Sequence, residues 1–194
     1  FLEQAMTPER KKMGLLNTAE QLKSRQQDFA DTYDLTLHGE TEHGGSEAIC
    51  HSKILQDYAE PGNLIIGSDS HTPHSGAIGC VAFGVGTTAI FNSWITRDVY
   101  SLVPESVKVV VSGQRPDGVT AKDMMLAILR TPYVADGHAI GKMVEYCGEA
   151  VRDLSIDERA TMTNMAAEVG AFSGIVCADE KTVEFLVAER GMDE

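Results

Sequence analysis

Residues 64–76 read LIIGSDSHTPHSG, a short apolar run that ends abruptly in small residues, a carboxylate and two histidines. Together with Asn63, the apolar run is bounded by turn residues, a pattern typical of a buried parallel strand. Asp69, Ser70 and His71 follow the run directly, and open α/β sheets form their sites at the carboxyl ends of such strands. The stretch therefore predicts a strand that delivers three polar side chains into a loop before a helix.

Strand and helix patterns alternate along the rest of the chain, which predicts the α/β class. Further strands are predicted near Leu35 and Leu37, over residues 106–113 and over residues 173–179. Helices are predicted over residues 7–33, over 47–58 capped by Ser46, over 120–130 capped by Thr120, over 155–171 with a Ser155–Glu158 capping box, and over 181–190. Pro104 precedes the clearest β-branched run, so we expect two domains, residues 1–103 and residues 104–194.

The composition excludes some classes of function. The 194 residues include 16 basic and 29 acidic side chains, a net charge of −13, which argues against nucleic acid as the main partner because phosphate binding needs a basic face. No apolar run approaches the roughly 20 residues of a membrane helix, so we expect a soluble protein. Four dispersed cysteines without a Cys-x-x-Cys pair or a signal peptide favour reduced thiols and a cytoplasmic location; they are Cys50, Cys80, Cys147 and Cys177.

The two ends of the sequence lack the features of complete domain termini. The chain begins at Phe1, without an initiator Met, inside a helix-like pattern, and it stops at Glu194 within another. We therefore expect a piece of a longer chain.

The histidines are concentrated in one part of the sequence. Five of the six fall between residues 38 and 74, which predicts a site near the loop that follows the strand; they are His38, His43, His51, His71 and His74. Within the loop, Asp69 is suited to orient a histidine from another segment, and Ser70 to donate a hydrogen bond to a carboxylate. The alternative is an Asx-type turn with a helix-capping hydroxyl, and spacing alone does not decide between them.

A second polar set lies in residues 159–171, RATMTNMAAEVGA. Asn164 and Glu168 are four residues apart, so they would face the same side of one helix, surrounded by apolar residues. The alternative is a solvated helix face, on which an exposed Glu is ordinary. No nucleotide-binding loop or nucleophile elbow accompanies these residues.

Together these motifs resemble the cluster-bearing portion of the aconitase superfamily. The matching stretches include DSHT at 69–72, FGVGTT at 83–88, NMAAEVGA at 164–171 and SGIVCADE at 173–180, and the resemblance covers about residues 44–180. It implies aconitase-like three-layer α/β/α units, two of them represented in this chain. It also implies a [4Fe-4S] cluster whose open iron acts as a Lewis acid in a dehydration and rehydration that moves a hydroxyl group to the neighbouring carbon.

The resemblance also implies roles for individual residues. His51 matches an active-site histidine that pairs with Asp69, and Ser70 matches a contact to a substrate carboxylate. His71 and Glu168 match residues that hydrogen-bond the water or hydroxyl at the cluster, and Asn164 matches a residue beside the cluster. His51, Asp69, His71 and Glu168 are thus the predicted catalytic residues, whereas we assign His74 to structure.

Other parts of the family pattern are not found in residues 1–194. The resemblance places the cluster cysteines beyond residue 194, so we expect no metal ligand within this chain. A swivel domain or a separate small subunit is expected to supply a catalytic serine and substrate-binding arginines. We therefore expect residues 1–194 alone to be inactive.

The resemblance leaves the substrate open among small hydroxy-carboxylates. The compact GSDSHTPHSG segment, residues 67–76, and the short connections favour the bacterial 3-isopropylmalate dehydratase type, which belongs to leucine biosynthesis, over aconitase, homoaconitase or methylcitrate dehydratase. An alternative of another class is a non-catalytic relative that binds RNA or a protein partner, although the net charge of −13 argues against RNA.

Overall fold

The computed structural model describes residues 8–43, 45–47 and 49–192. The chain divides into two compact units, Phe1–Ile49 and Cys50–Glu194. Among the described residues, no helix combines the length and apolarity needed to cross a bilayer.

The unit Phe1–Ile49 is helical in its first part. It contains helices α1, Pro8–Lys12, and α2, Leu15–Tyr33. The strand predicted near Leu35 and Leu37 is wrong: the amide of Leu35 instead closes the end of α2 by donating to the carbonyl of Ala30 (2.9 Å). The segment that follows forms a single antiparallel bridge between Glu40 and Ser46.

The unit Cys50–Glu194 contains two parallel sheets, which confirms the α/β class. The first pairs β1, Leu64–Gly67, with β2, Val81–Gly84. The second has the order β3-β4-β5, formed by Ser106–Val110, Met143–Cys147 and Ser173–Ile175. Parallel neighbours need crossover connections, and the connecting segments here contain the helices.

The first half of this unit carries helix α3 (Cys50–Asp57), a buried 3₁₀ helix (Thr72–Ile78) and helix α4 (Thr87–Thr96). Helix α3 begins at Cys50, not at Glu47 as predicted, and Ser46 lies in a bridge to Glu40. Strand β2 was not predicted. Its last residue, Gly84, lies so close to the carbonyl of Asp69 that a side chain there would collide with it.

The second half carries the helices α5 (Ala121–Leu129), α6 (Pro132–Ala135), α7 (Glu149–Arg152), α8 (Ile156–Asn164), α9 (Ala166–Val169) and α10 (Glu180–Arg190). The predicted caps are confirmed, since Thr120 and Ser155 both take part in capping boxes. The prediction of one unbroken helix over residues 155–171 is wrong, because α8 ends and α9 begins at Met165 (φ −72°, ψ 5°).

Contacts between the two sheets hold the loop after β1 against α8 and β5. Ser173 Oγ donates to the carbonyl of Ala82 (2.5 Å), and the amide of Val176 donates to the carbonyl of Gly76 (2.9 Å). Gly76 lies directly against the carbonyl of Gly174, where a Cβ has no room. The predicted boundary at residues 103/104 falls between the two sheets and stays a prediction.

Two arginines fix α10 to its neighbours. Arg159, fully buried on α8, binds the carboxylate of Asp179 in bidentate fashion (2.8 and 2.7 Å), and this pair holds the residue that caps α10. The guanidinium of Arg159 lowers the pKa of Asp179. At the other end of α10, Arg190 donates to the carbonyls of Leu55, Gln56 and Ala59, which satisfies acceptors at the end of α3.

Candidate active site

The loop after β1 places Asp69 at the centre of a set of hydrogen bonds. Its Oδ1 accepts from the backbone N–H of His71 (2.8 Å), and its carbonyl accepts from the hydroxyl of Thr72 (2.7 Å). This is the Asx-type turn that was the alternative to a functional site. The same Oδ1 also lies 3.0 Å from Nε2 of His51, so the turn and the histidine contact coexist.

The His51–Asp69 contact joins the first turn of α3 to the end of β1. The pKa of Asp69 is lowered, chiefly by the N–H of His71 and further by His51, against the opposing effect of partial burial. An ionised carboxylate can only accept a hydrogen bond, so Nε2 of His51 carries the proton. Nδ1 of His51 is then the ring nitrogen that another molecule can contact.

A second imidazole–carboxylate contact joins His71 to Glu168. Nε2 of His71 lies 3.0 Å from Oε1 of Glu168, which α9 supplies. On the other side of the ring, Nδ1 lies 3.2 Å from the hydroxyl oxygen of Ser70. Both side chains are partly open to solvent, with 36% of His71 and 45% of Glu168 exposed, so a small ligand can reach them.

Asn164 faces a different partner from Glu168, and Met165 separates the two helices that carry them. Nδ2 of Asn164 lies 3.3 Å from Nδ1 of His74. The two residues were predicted to share one helix face; instead each lies beside one histidine of the loop after β1.

His74 was assigned to structure from the sequence, and the structure places its ring beside the predicted site. Its centroid lies 6.1 Å from that of His51, and the His51 centroid lies 6.4 Å from that of His71. Burial lowers the pKa of His74 to about 4, with a further contribution from His51 and an opposing one from Asp157. The ring is therefore neutral at physiological pH.

Three of the five clustered histidines thus converge, and the other two belong to the separate unit Phe1–Ile49. In that unit, Nδ1 of His38 lies 2.7 Å from Oε2 of Glu47. His43 lies on the surface. Sequence proximity alone could not separate these two groups.

The donor atoms around this loop are imidazole, carboxylate, carboxamide and hydroxyl groups. Among the residues described by the structure, no group of three or more His, Cys, Asp or Glu side chains is arranged to hold a metal ion. The thiol of Cys80 is buried, donates to the carbonyl of Glu60 (3.0 Å) and has its pKa raised to about 11 by burial. The set therefore fits proton transfer and hydrogen bonding.

Comparisons with known proteins identify the family of the chain. Residues 5–194 match the family model described as the aconitase family (aconitate hydratase). The chain is 37% identical over 148 residues to 3-isopropylmalate dehydratase large subunit 1 of Methanopyrus kandleri, covering 76% of this chain and 35% of that protein. It is 40% identical over 140 residues to the protein of the same name from Thermotoga maritima, covering 72% and 33%. The chain thus spans about a third of the length of these curated relatives.

Proposed function

The chain belongs to the aconitase family, and from this premise we propose that the protein containing it is a hydro-lyase that moves a hydroxyl group between adjacent carbons of a small hydroxy-carboxylate. The proposed substrate type is 3-isopropylmalate, the type named in both relatives. Citrate, homocitrate and methylcitrate are the competing substrates. A cytoplasmic location stays a prediction.

The observation that carries the proposal is a set of two imidazole–carboxylate pairs, each with one member on the loop after β1. His51–Asp69 and His71–Glu168 each have a nitrogen–oxygen distance of 3.0 Å. Removal of water from a hydroxy acid needs one group that takes a proton from carbon and another that gives a proton to the departing hydroxyl. Two pairs on one face can divide these tasks, whereas a turn would require only Asp69.

We assign proton delivery to His71. Its Nε2 faces a carboxylate and its Nδ1 faces the hydroxyl of Ser70, so both ring nitrogens have partners that tolerate a protonated ring. Glu168 holds the ring in place and stabilises its positive charge. Ser70, whose hydroxyl can rotate, is assigned to a substrate carboxylate.

We assign a supporting role to the pair His51–Asp69. With Nε2 of His51 bound to Asp69, the ring presents Nδ1 to the substrate or to a bound water. Asn164 contributes a carboxamide at the edge of the same set.

A [4Fe-4S] cluster, when bound, would supply a Lewis acid that polarises the substrate hydroxyl and carboxylate. The ligands of that cluster are proposed to come from cysteines outside residues 1–194. A small subunit or a fused swivel domain is proposed to supply the serine and arginines, in line with the name "large subunit" of the relatives.

The experiment uses the whole protein, reconstituted anaerobically with iron and sulfide and combined with its small subunit where that is separate. Initial rates are measured on isopropylmalate, citrate, homocitrate and methylcitrate by the ultraviolet absorbance of the unsaturated product. The proposal expects dehydration of at least one of them, with the highest kcat/KM for isopropylmalate. His138→Gln is the control for substitutions of the site histidines and should keep the wild-type rates, because His138 is exposed and its ring contacts Tyr133, not the site. A protein that holds a full cluster but dehydrates none of the four acids would overturn the proposal.

A further inference from the structure

His74 is held by α8 at two points. The hydroxyl of Thr163 donates to its carbonyl oxygen (2.9 Å), and Nδ2 of the next residue, Asn164, lies 3.3 Å from its ring nitrogen Nδ1. Its own amide donates to the carbonyl of His71 (3.1 Å). Main chain and ring are thus both fixed, and they connect the 3₁₀ helix Thr72–Ile78 to the end of α8.

The chemistry of the contact determines where the ring proton lies. A carboxamide nitrogen only donates, so Nδ1 of His74 must be the acceptor and the proton of the neutral ring must be on Nε2. Asn164 then has one N–H committed to His74, which leaves its other N–H and its carbonyl oxygen for the site.

The environment of His74 differs from that of the two histidines beside it. His51 and His71 each contact a carboxylate, whereas His74 contacts a neutral carboxamide. The charged or titratable groups that act on His74 are His51 and His71, which oppose its protonation, and Asp157, which favours it. A neutral ring of fixed tautomer is suited to hold a neighbour in place and not to exchange protons.

We propose that His74 is a positioning residue for Asn164: its Nδ1 fixes the carboxamide in one orientation, and the ring of His74 itself lies 6.1 Å from that of His51. The inference rests on the proposed function, because orientation of Asn164 matters to catalysis only where Asn164 borders the reacting groups. The substitution most sensitive to this role is one that removes the acceptor nitrogen while it keeps the bulk of the side chain.

The first test measures the tautomer directly. Long-range ¹H–¹⁵N spectra of the whole protein, labelled with ¹⁵N-histidine, distinguish Nε2–H, Nδ1–H and doubly protonated rings. The proposal expects His74 as a neutral Nε2–H ring, and it expects that assignment to be lost or mixed in Asn164→Ala. A Nδ1–H ring, a protonated ring at neutral pH, or a tautomer unaffected by Asn164→Ala would overturn it.

The second test compares two replacements of His74. His74→Leu removes the acceptor, and we expect a loss of about 10- to 100-fold in kcat/KM, the range found when a supporting hydrogen-bond partner is removed. His74→Asn offers a carboxamide oxygen near the former position of Nδ1 and should recover most of the loss. It should also keep both limbs of the pH–rate profile in place. Loss of one limb in His74→Asn would identify His74 as an acid–base group and contradict the proposal.

A double-mutant cycle separates positioning from a general packing effect. If His74 acts through Asn164, then His74→Leu in an Asn164→Ala background should cause little further loss. If the losses in kcat/KM of the two single variants multiply in the double variant, the proposal is overturned. Thermal unfolding of each variant shows whether the fold is intact. If the wild-type protein dehydrates none of the hydroxy acids, the proposed function fails, while the tautomer measurement still decides the contact between His74 and Asn164.

Discussion

Nε2 of His71 and Oε1 of Glu168 lie 3.0 Å apart although the two residues are 97 positions apart in the chain. One side chain follows a strand of the first sheet, and the other belongs to the short helix before the last strand of the second. The site therefore depends on the packing of the two sheets against each other, which the contacts of Ser173 and Val176 maintain.

Removal of the carboxylate of Glu168 should abolish most of the activity. Glu168→Gln keeps the shape of the side chain but cannot stabilise a protonated His71, so we expect kcat of the whole protein to fall by about 10²- to 10⁴-fold, with a smaller change in KM. Steady-state kinetics measures both constants. Glu184→Gln, an exposed glutamate on α10, is the control and should behave as wild type. Equal kcat in the two variants would count against the assignment.

Asp69→Asn separates the turn from the histidine contact. The carboxamide oxygen can still accept the N–H of His71 and so keep the turn, but it is a weaker acceptor than a carboxylate for Nε2–H of His51. We expect near-native thermal stability together with a loss of about 10- to 100-fold in kcat/KM. Unchanged activity would mean that Asp69 only turns the chain.

The glycine at position 84 should be intolerant of any side chain. A Cβ there meets the carbonyl of Asp69, whereas a Cβ at Gly86, two residues later, meets nothing within 4 Å. Gly84→Ser should lower the free energy of unfolding by about 1–3 kcal/mol and should also lower activity, because it displaces the loop that carries Asp69.

Gly86→Ser provides the matched control for this prediction. Gly86 precedes α4 as its N-cap residue without a side-chain cap, and serine can supply one. We expect its free energy of unfolding to stay within about 0.5 kcal/mol of wild type. Urea denaturation of both variants tests the pair, and equal stabilities would show that the Gly84–Asp69 contact is not tight.

The Arg159–Asp179 pair should show an asymmetric response to substitution. Asp179→Asn leaves a buried positive charge without a partner, so we expect a loss of about 3–5 kcal/mol in the free energy of unfolding. Arg159→Met leaves only the carboxylate of Asp179 unpaired, and that side chain is 33% exposed. The loss in the free energy of unfolding should therefore be smaller for Arg159→Met. Denaturant unfolding at neutral pH ranks the two, and a larger loss for Arg159→Met would contradict this account.

The same pair predicts a pH dependence of stability. Because Arg159 lowers the pKa of Asp179 in the folded state, the contribution of the pair is complete above the unfolded pKa and is lost as the pH falls through the lower folded value. The stability difference between wild type and Asp179→Asn should therefore be constant from about pH 5 to 8 and shrink below about pH 4. A difference that does not change with pH would mean that the charge of Asp179 is not involved.

Local signals in the sequence predicted much of the fold. The apolar run before Asp69 marked strand β1, and the Thr120 and Ser155 caps marked the starts of two helices, because each depends on residues within a few positions. Strand β2 was missed because its four residues lie in a Gly- and Ala-rich segment and are defined by their pairing with β1. The predicted strand at Leu35 failed because that amide closes α2.

The site could be predicted in part for the same reason. The motif around Asp69 indicated a histidine partner, whereas the contact of His74 with Asn164 spans 90 positions. Thr161, Thr163 and Asn164 have only modest helix propensity, but they do not mark Met165 as the position at which α8 ends. Which side chain faces which histidine depends on the tertiary fold, so the local sequence could not predict it.

The central claim is that His71 and Glu168 act together, and a double-mutant cycle with the whole, cluster-loaded protein tests it most directly. The rate measured is that of the interconversion of the 2- and 3-hydroxy acids, monitored by NMR. If His71 and Glu168 act as one acid–base unit, His71→Asn and Glu168→Gln should each lower kcat by about 10²- to 10⁴-fold, and the double variant should be no slower than the slower single variant. Near-native rates in either single variant, or losses that multiply in the double variant, would contradict the account.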